Sequence, residues 1–127
     1  MITLETLKQE IYKEFECDIN LSKSEELTQS WYNYKSILCT PATSPNSWVA
    51  KANAEWNRDK KTIILILQAG IKTSKAFSTY VHKIAEIRDI ETQTKLFSKV
   101  KIIKPYVVII YKAKIPAVKS HLVVFND

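Results

Sequence analysis

Residues 62–67 read Thr-Ile-Ile-Leu-Ile-Leu, and no other feature narrows the fold as much. A run that is apolar on both faces suits a strand buried between two layers, the setting of a central parallel strand. Its length is that of a strand and too short for a buried helix. Helical patterns flank it. Ser44-Pro45 opens one, because serine can accept from the free first-turn amides and proline fits the first turn. Val49, Ala52 and Trp56, with Trp48 beside them, form its apolar stripe. Arg58 to Lys61 closes it with basic residues that suit a helix C-terminus. Thr73 or Ser74 caps the second helix, which runs to Ile84 with Phe77, Val81 and Ile84 on one side and Tyr80 adjacent. The pattern predicts a core of Val49, Ala52, Ile64, Leu65, Ile66, Leu67, Phe77, Val81 and Val108.

The remaining segments complete one α/β domain over residues 1–127. Leu4, Leu7, Ile11 and Phe15 recur at helical spacing after a Thr3 cap, predicting a helix over Thr3 to Phe15. Short strands are expected at Cys17 to Leu21 and Lys35 to Cys39, with a helical turn or loop at Ser22 to Ser30 between them. Ala85 to Ile90, Val100 to Ile103, Tyr106 to Tyr111 and His121 to Phe125 read as further strands. The last three have short connections and are expected to form antiparallel ribbons. The sum is a sheet with a parallel centre and an antiparallel C-terminal edge.

Charge is distributed unevenly. Residues 1–50 hold four Lys and seven acids, a net of −3, whereas residues 51–127 hold fifteen Lys plus Arg and six acids, a net of +9. The split fits a face aimed at a polyanion or an acidic partner, or a well-solvated lysine-rich surface. Lys95, Lys99, Lys101 and Lys104 are the expected nucleic-acid contacts, since Lys99 and Lys101 share a strand face and the other two flank them. No apolar run approaches the roughly 18 residues of a membrane span. The N-terminus carries acids and no apolar signal core, so an intracellular, cytoplasmic location is expected. Cys17 and Cys39 are the only cysteines; they have neither a disulfide framework nor zinc spacing and read as small buried hydrophobes.

Gly70 is the only glycine, and there is no GxGxxG or GxxxxGK[ST]. The common nucleotide loops need glycine so that backbone amides can approach phosphate, so they are excluded. Metal is not expected. His82, within the second helix, and His121 could act as bases or be structural. Asp18 is unusual in a strand, which disfavours aspartate; it binds something or sits on an edge. Asp89 and Glu91 share a strand face, a solvated one or a site. Tyr80, Tyr106 and Tyr111 lie among lysines as base platforms or as core residues.

One segment carries more. Ile37-Leu38-Cys39-Thr40-Pro41-Ala42-Thr43 is followed by Trp48-Val49-Ala50-Lys51-Ala52 and then by Thr62 to Leu67. This order resembles the phage-type DNA adenine-N6 methyltransferases, which run strand, Asn-Pro-Pro-aromatic, a helix often holding Trp-Val-x-Lys-Ala, then an apolar strand. Phe15-Glu16-Cys17-Asp18-Ile19 is similar to the family's Phe-x-x-Asp-Val element near the cofactor. Thr73 to Phe77, Ala85-Glu86-Ile87-Arg88, and Ile115-Pro116 with Leu122 to Phe125 follow in similar order. The resemblance spans about residues 15–125. It implies a three-layer, Rossmann-like methyltransferase-type sheet, with Asp18 holding S-adenosylmethionine and Thr40, Pro41 and Thr43 at the catalytic motif.

The departures fall on the chemistry. In the family the first motif residue accepts from the adenine amine and the aromatic stacks on the extruded base. Here Thr40 stands for the amide, Ala42 for the second proline and Thr43 for the aromatic; Pro41 alone is kept. Unstacking a base costs a few kcal/mol, and a flipped base needs a clamp to offset it. The expected protein is a degenerate, truncated member, without methyl transfer and with no cofactor. It acts by binding nucleic acid, DNA first, or an acidic protein partner. A homodimer or hetero-complex is expected to cover its exposed sheet. The alternatives are an active S-adenosylmethionine-dependent adenine methyltransferase and a small basic α/β interaction or inhibitor protein unrelated to that family.

Overall fold

The computed structural model of the protein describes residues 3–96, 99–113 and 120–126. Thr3 opens the first helix, α1 (Leu4–Glu14), and its hydroxyl accepts from the Thr6 amide at 3.1 Å. Only Leu7 and Ile11 of α1 are buried, as its helical spacing dictates. β1 (Ile19–Leu21) follows, then a 3-10 helix (Ser24–Thr28) and β2 (Ser36–Cys39). α2 (Pro45–Asp59) and β3 (Thr62–Gln68) come next, then a second 3-10 turn (Ala69–Thr73) and α3 (Lys75–Tyr80). β4 (Glu86–Leu96), β5 (Lys99–Tyr111) and β6 (Ser120–Asn126) complete the order.

The strands form one open, mixed sheet in the order β1-β2-β3-β5-β4-β6. β1, β2 and β3 are parallel, with Ile19 opposite Ile37 and Leu38 opposite Ile64. β5 is antiparallel to both β3 and β4. β6 runs parallel to β4. The antiparallel strand is therefore internal, and β6 is a parallel edge, which corrects the expected antiparallel ribbon at the C-terminal edge. Val100–Ile103 and Tyr106–Tyr111 are likewise one strand. The register steps from Ile90–Tyr106 to Thr92–Ile103, so β5 carries an extra residue around Lys104-Pro105. A bulge of this kind admits a proline, which has no N–H for the ladder.

Side chains of the sheet alternate between two apolar layers. Leu65, Leu67, Val107 and Ile109 face Val49, Ala52, Trp56, Phe77 and Val81. Ile64, Ile66, Val108 and Ile110 face Leu7 and Ile11 of α1. All nine expected core residues are buried, but they divide between these layers instead of forming one cluster. Helices thus cover both faces of a buried β3, and its unbroken apolar sequence is the consequence. Arg88 ties α1 to β4, donating to both carboxylate oxygens of Glu14 at 2.8 and 2.6 Å and to Glu86 at 2.9 Å.

One cap and one helix end differ from expectation. Ser44 precedes α2 but lies in the left-handed region (φ 55°, ψ 49°) and its hydroxyl caps nothing. A capping hydroxyl needs extended backbone to aim at the first-turn amides; here the Ser44 carbonyl accepts from Ser47 and Trp48 instead. Ser74 does cap α3, accepting from the Phe77 amide at 3.1 Å. That helix ends at Tyr80 rather than Ile84. The chain turns through Lys83 (φ 64°) to enter β4, which leaves His82 exposed in a turn, outside any helix.

Candidate functional site

The parallel register of β1, β2 and β3 brings the loop after β2 beside the end of β3. In open α/β sheets, ligands bind outside the carboxyl ends of the strands. Two cavities lie there. One, of about 410 Å³, is lined by Pro41, Ala42, Pro45, Asn46, Gln68 and Ser74, among others. The other, of about 170 Å³, lies on the α1 side and is lined by Leu4, Thr40, Pro41, Ala42, Ile66 and Tyr106, with Leu67 and Gln68 shared between the two. Pro41 and Ala42 form the wall between them.

Thr40 is half-buried at the mouth of the smaller cavity. The side chain of Asn20 donates to the Thr40 hydroxyl at 3.0 Å and to the Leu38 carbonyl at 3.1 Å. A hydroxyl has one proton and two lone pairs, so Thr40 keeps one proton and one acceptor position for anything else. Thr43 lies exposed in the following turn and lines neither cavity. The structure therefore brings Thr40 and Pro41 to the cleft and leaves Thr43 outside.

Asp18 is placed elsewhere. It precedes β1, opposite the start of β2, and its carboxylate accepts from the amides of Lys35 (2.9 Å) and Ser36 (2.8 Å). Burial acts to raise its pKa, but these amide bonds and the nearby Lys35 charge outweigh that and hold it below the usual carboxylate value. Four strand residues, roughly 13 Å at about 3.3 Å each, separate it from Thr40. Its bonds explain an aspartate beside a strand: it ties the N-terminal ends of β1 and β2 together. The residue at the cleft is Asn20, two positions on. Sequence reasoning missed Asn20, although an asparagine in a strand is the same kind of signal as an aspartate.

The other candidates separate as well. Asp89 pairs with Lys72 at 2.8 Å, while Glu91 is buried. Tyr111 is fully buried in the core, its hydroxyl donating to the Tyr80 carbonyl, and burial raises its pKa far above the ordinary value. Tyr106 is half-buried against the smaller cavity. Both cysteines are buried and free, with burial pushing both thiols up. The side chains of Lys95, Lys99, Lys101, Lys104 and His121 lie outside the described ones. Among the described residues no group of His, Cys, Asp and Glu could hold a metal ion, and no helix is long and apolar enough to cross a membrane.

Among the described residues, neither cavity lining includes Asp, Glu, Lys, Arg or His. The polar groups that remain are the hydroxyls of Thr40, Ser74 and Tyr106 and the amides of Asn46 and Gln68. Ser74 is engaged in its cap, donating to the Ile71 carbonyl at 2.7 Å. Such a lining can hold a neutral ligand by hydrogen bonds, but it offers no general acid or base near neutral pH. A Cβ placed at Gly70 would meet nothing within 4 Å, so the one glycine does not mark a tight backbone approach. No protein-family model matches this chain, and no curated protein sequence matches it.

Proposed function

We propose that this chain is a methyltransferase-like domain that transfers no methyl group and works by binding nucleic acid. One observation carries the reading: the motif-like segment ends at the mouth of a cleft whose described lining residues carry no charge. Three resembling segments lie together there. Ile37 to Thr40 forms β2 and its end, Trp48 to Ala52 lies on α2 beneath it, and Thr62 to Leu67 is β3 beside it. This convergence supports a methyltransferase-type sheet.

The chemistry of the cleft supports a silent site. S-adenosylmethionine brings an ammonium and a sulfonium, and among the described residues neither cavity lining supplies a carboxylate to face them. Asp18, the acid that the resemblance points to, is held at the other end of β2. The residues present do not fit that cofactor. The acceptor expected at Thr40 is half-occupied by Asn20, and no aromatic follows at position 43. Aligning donor and amine contributes several kcal/mol to a transfer, and a site missing these contacts forfeits it.

Two measurements test the reading together. Incubation with radiolabelled S-adenosylmethionine and unmethylated DNA is expected to give no turnover. Binding to fluorescein-labelled DNA and RNA is expected to be salt-dependent, as phosphate contacts require. Turnover that disappears in Thr40→Ala would restore an active enzyme. Absence of binding to either nucleic acid at low salt would sink the binding role.

A further inference from the structure

The opposite end of the sheet carries a second feature that the cleft does not use. Residues 31–35 read Trp-Tyr-Asn-Tyr-Lys and lead into β2. Trp31 is buried and anchored at three points. Its amide donates to Glu55 at 2.9 Å, its ring nitrogen donates to the Glu26 carbonyl at 2.9 Å, and its carbonyl accepts from Lys61. With Trp31 pinned, the next side chain is turned outward. Tyr32 is 71% exposed, against 41% and 37% for Leu4 and Tyr12, the other exposed large hydrophobics among the described residues. The anchored backbone holds the base of this ring in place before any ligand arrives, so binding has only the side-chain rotamer to order.

The surroundings of that ring are basic. Glu55 and Asp59 hold the Arg58 guanidinium, which lies 5.9 Å from the Tyr32 ring centroid. Asp59 sits between Arg58 and Lys61, at 2.7 and 2.9 Å, so with Glu55 these four charges cancel and exposed Lys35 is the surplus cation. The bonds to Asp59, from Arg58 first, hold its carboxyl well below the usual range. Beside the ring lies an open hollow of about 580 Å³ lined by Tyr32, Asn33, Tyr34, Lys35, Asp59 and Lys61, with Ala113. Lys35 and Asn33 are exposed. The hollow thus combines a flat π-face, an amide and one surplus cation, Lys35.

We propose that this hollow is a stacking platform for single-stranded nucleic acid, with Tyr32 under a base and Lys35 against a flanking phosphate. A ring can stack only on a base that has left its duplex partner, which favours single strands over duplex. The platform lies at the amino ends of β2 and β3, roughly 17 Å along the strand from Thr40 at about 3.3 Å per residue, so it is not part of the cleft. The inference rests on the nucleic-acid reading above and adds the contact surface and the form of the strand.

The test is fluorescence anisotropy with fluorescein-labelled oligothymidylate and oligouridylate at two salt concentrations, with inorganic polyphosphate as a competitor that lacks bases. Tyr32→Ala is expected to weaken oligonucleotide binding roughly 5- to 150-fold, the factor a lost base–aromatic stack represents, without changing the salt slope. Tyr32→Trp is expected to retain binding, since indole offers a larger face. Lys35→Glu is expected to flatten the slope, as the loss of a phosphate contact does. Tyr32 is exposed, so these variants should keep the far-UV circular dichroism of the parent. If the oligonucleotides bind and Tyr32→Ala binds as tightly as the parent, the platform is refuted while the nucleic-acid reading stands. Polyphosphate competing as well as the oligonucleotides, phosphate for phosphate, also refutes it by reducing the hollow to a charge patch. No binding of either oligonucleotide refutes the platform, and the nucleic-acid reading then stands only if duplex DNA binds in the same assay.

Discussion

Removing the Asp18 carboxylate is expected to destabilise the fold without touching the cleft. The carboxylate accepts two short bonds, from Lys35 N at 2.9 Å and Ser36 N at 2.8 Å, where β2 begins. Hydrogen bonds to a charged group contribute roughly 1.5–3 kcal/mol in protected settings. Asp18 is exposed, and water replaces part of what is lost, so Asp18→Ala is expected to cost about 1–2 kcal/mol in total. Asp18→Asn should recover little, because its amide NH2 would face one of the two N–H donors. Urea denaturation at neutral pH measures the difference. The sign of its pH dependence follows from the shift. The folded-state pKa lies below the ordinary value of 3.8, so the carboxylate stabilises the protein above that value. Its contribution is lost as pH falls through the lower folded pKa. The gap between parent and Asp18→Ala should therefore close on acidification. Equal stability at neutral pH, or a gap that widens in acid, would refute the role assigned to Asp18.

Three further outcomes are expected. Leu65→Ala, at a fully buried position of β3, should cost roughly 2–5 kcal/mol in urea denaturation, and a loss below about 0.5 kcal/mol would be incompatible with the layered core. Glu55→Ala should cost about 1–3 kcal/mol and loosen residues 31–35, because it removes the acceptor of the Trp31 amide and the partner of Lys51 and Arg58; unchanged amide exchange at Trp31 would count against that. Neutralising Lys95, Lys99, Lys101 and Lys104 together should reduce the salt slope of nucleic-acid binding by up to about 0.9 per lost phosphate contact; unchanged affinity would leave those lysines to solubility.

Much of the fold could be read from local pattern. The run Thr62 to Leu67 implied a strand covered on both faces, and the stripes Leu7–Ile11 and Val49–Ala52–Trp56 implied helices, but only the structure shows that α1 covers the second face of β3. Hydrophobic period reports which face of an element is buried, and that information is contained in a few consecutive residues. The segment Thr40-Pro41 was legible for the same reason: strand, proline, turn and helix follow one another in the chain.

Tertiary structure decided what depends on distant residues. The insertion of β5 between β3 and β4 follows from pairing Leu65 with Ile109 and Ile87 with the same residue, and an apolar strand pairs equally well in several places until the whole sheet is assembled. Asp18 and Asn20 are two residues apart and were not separable by type. The register of β1 on β2 sends one carboxylate to backbone amides at the start of the sheet and the other side chain to Thr40 at its end. The exposure of Tyr32 is set from afar, where Glu55 fixes the amide of Trp31, 24 residues before it. Sequence thus determined which residues prefer the interior, because that preference is local chemistry. The fold determined which polar groups meet, because strand register assigns each of them an end and a face.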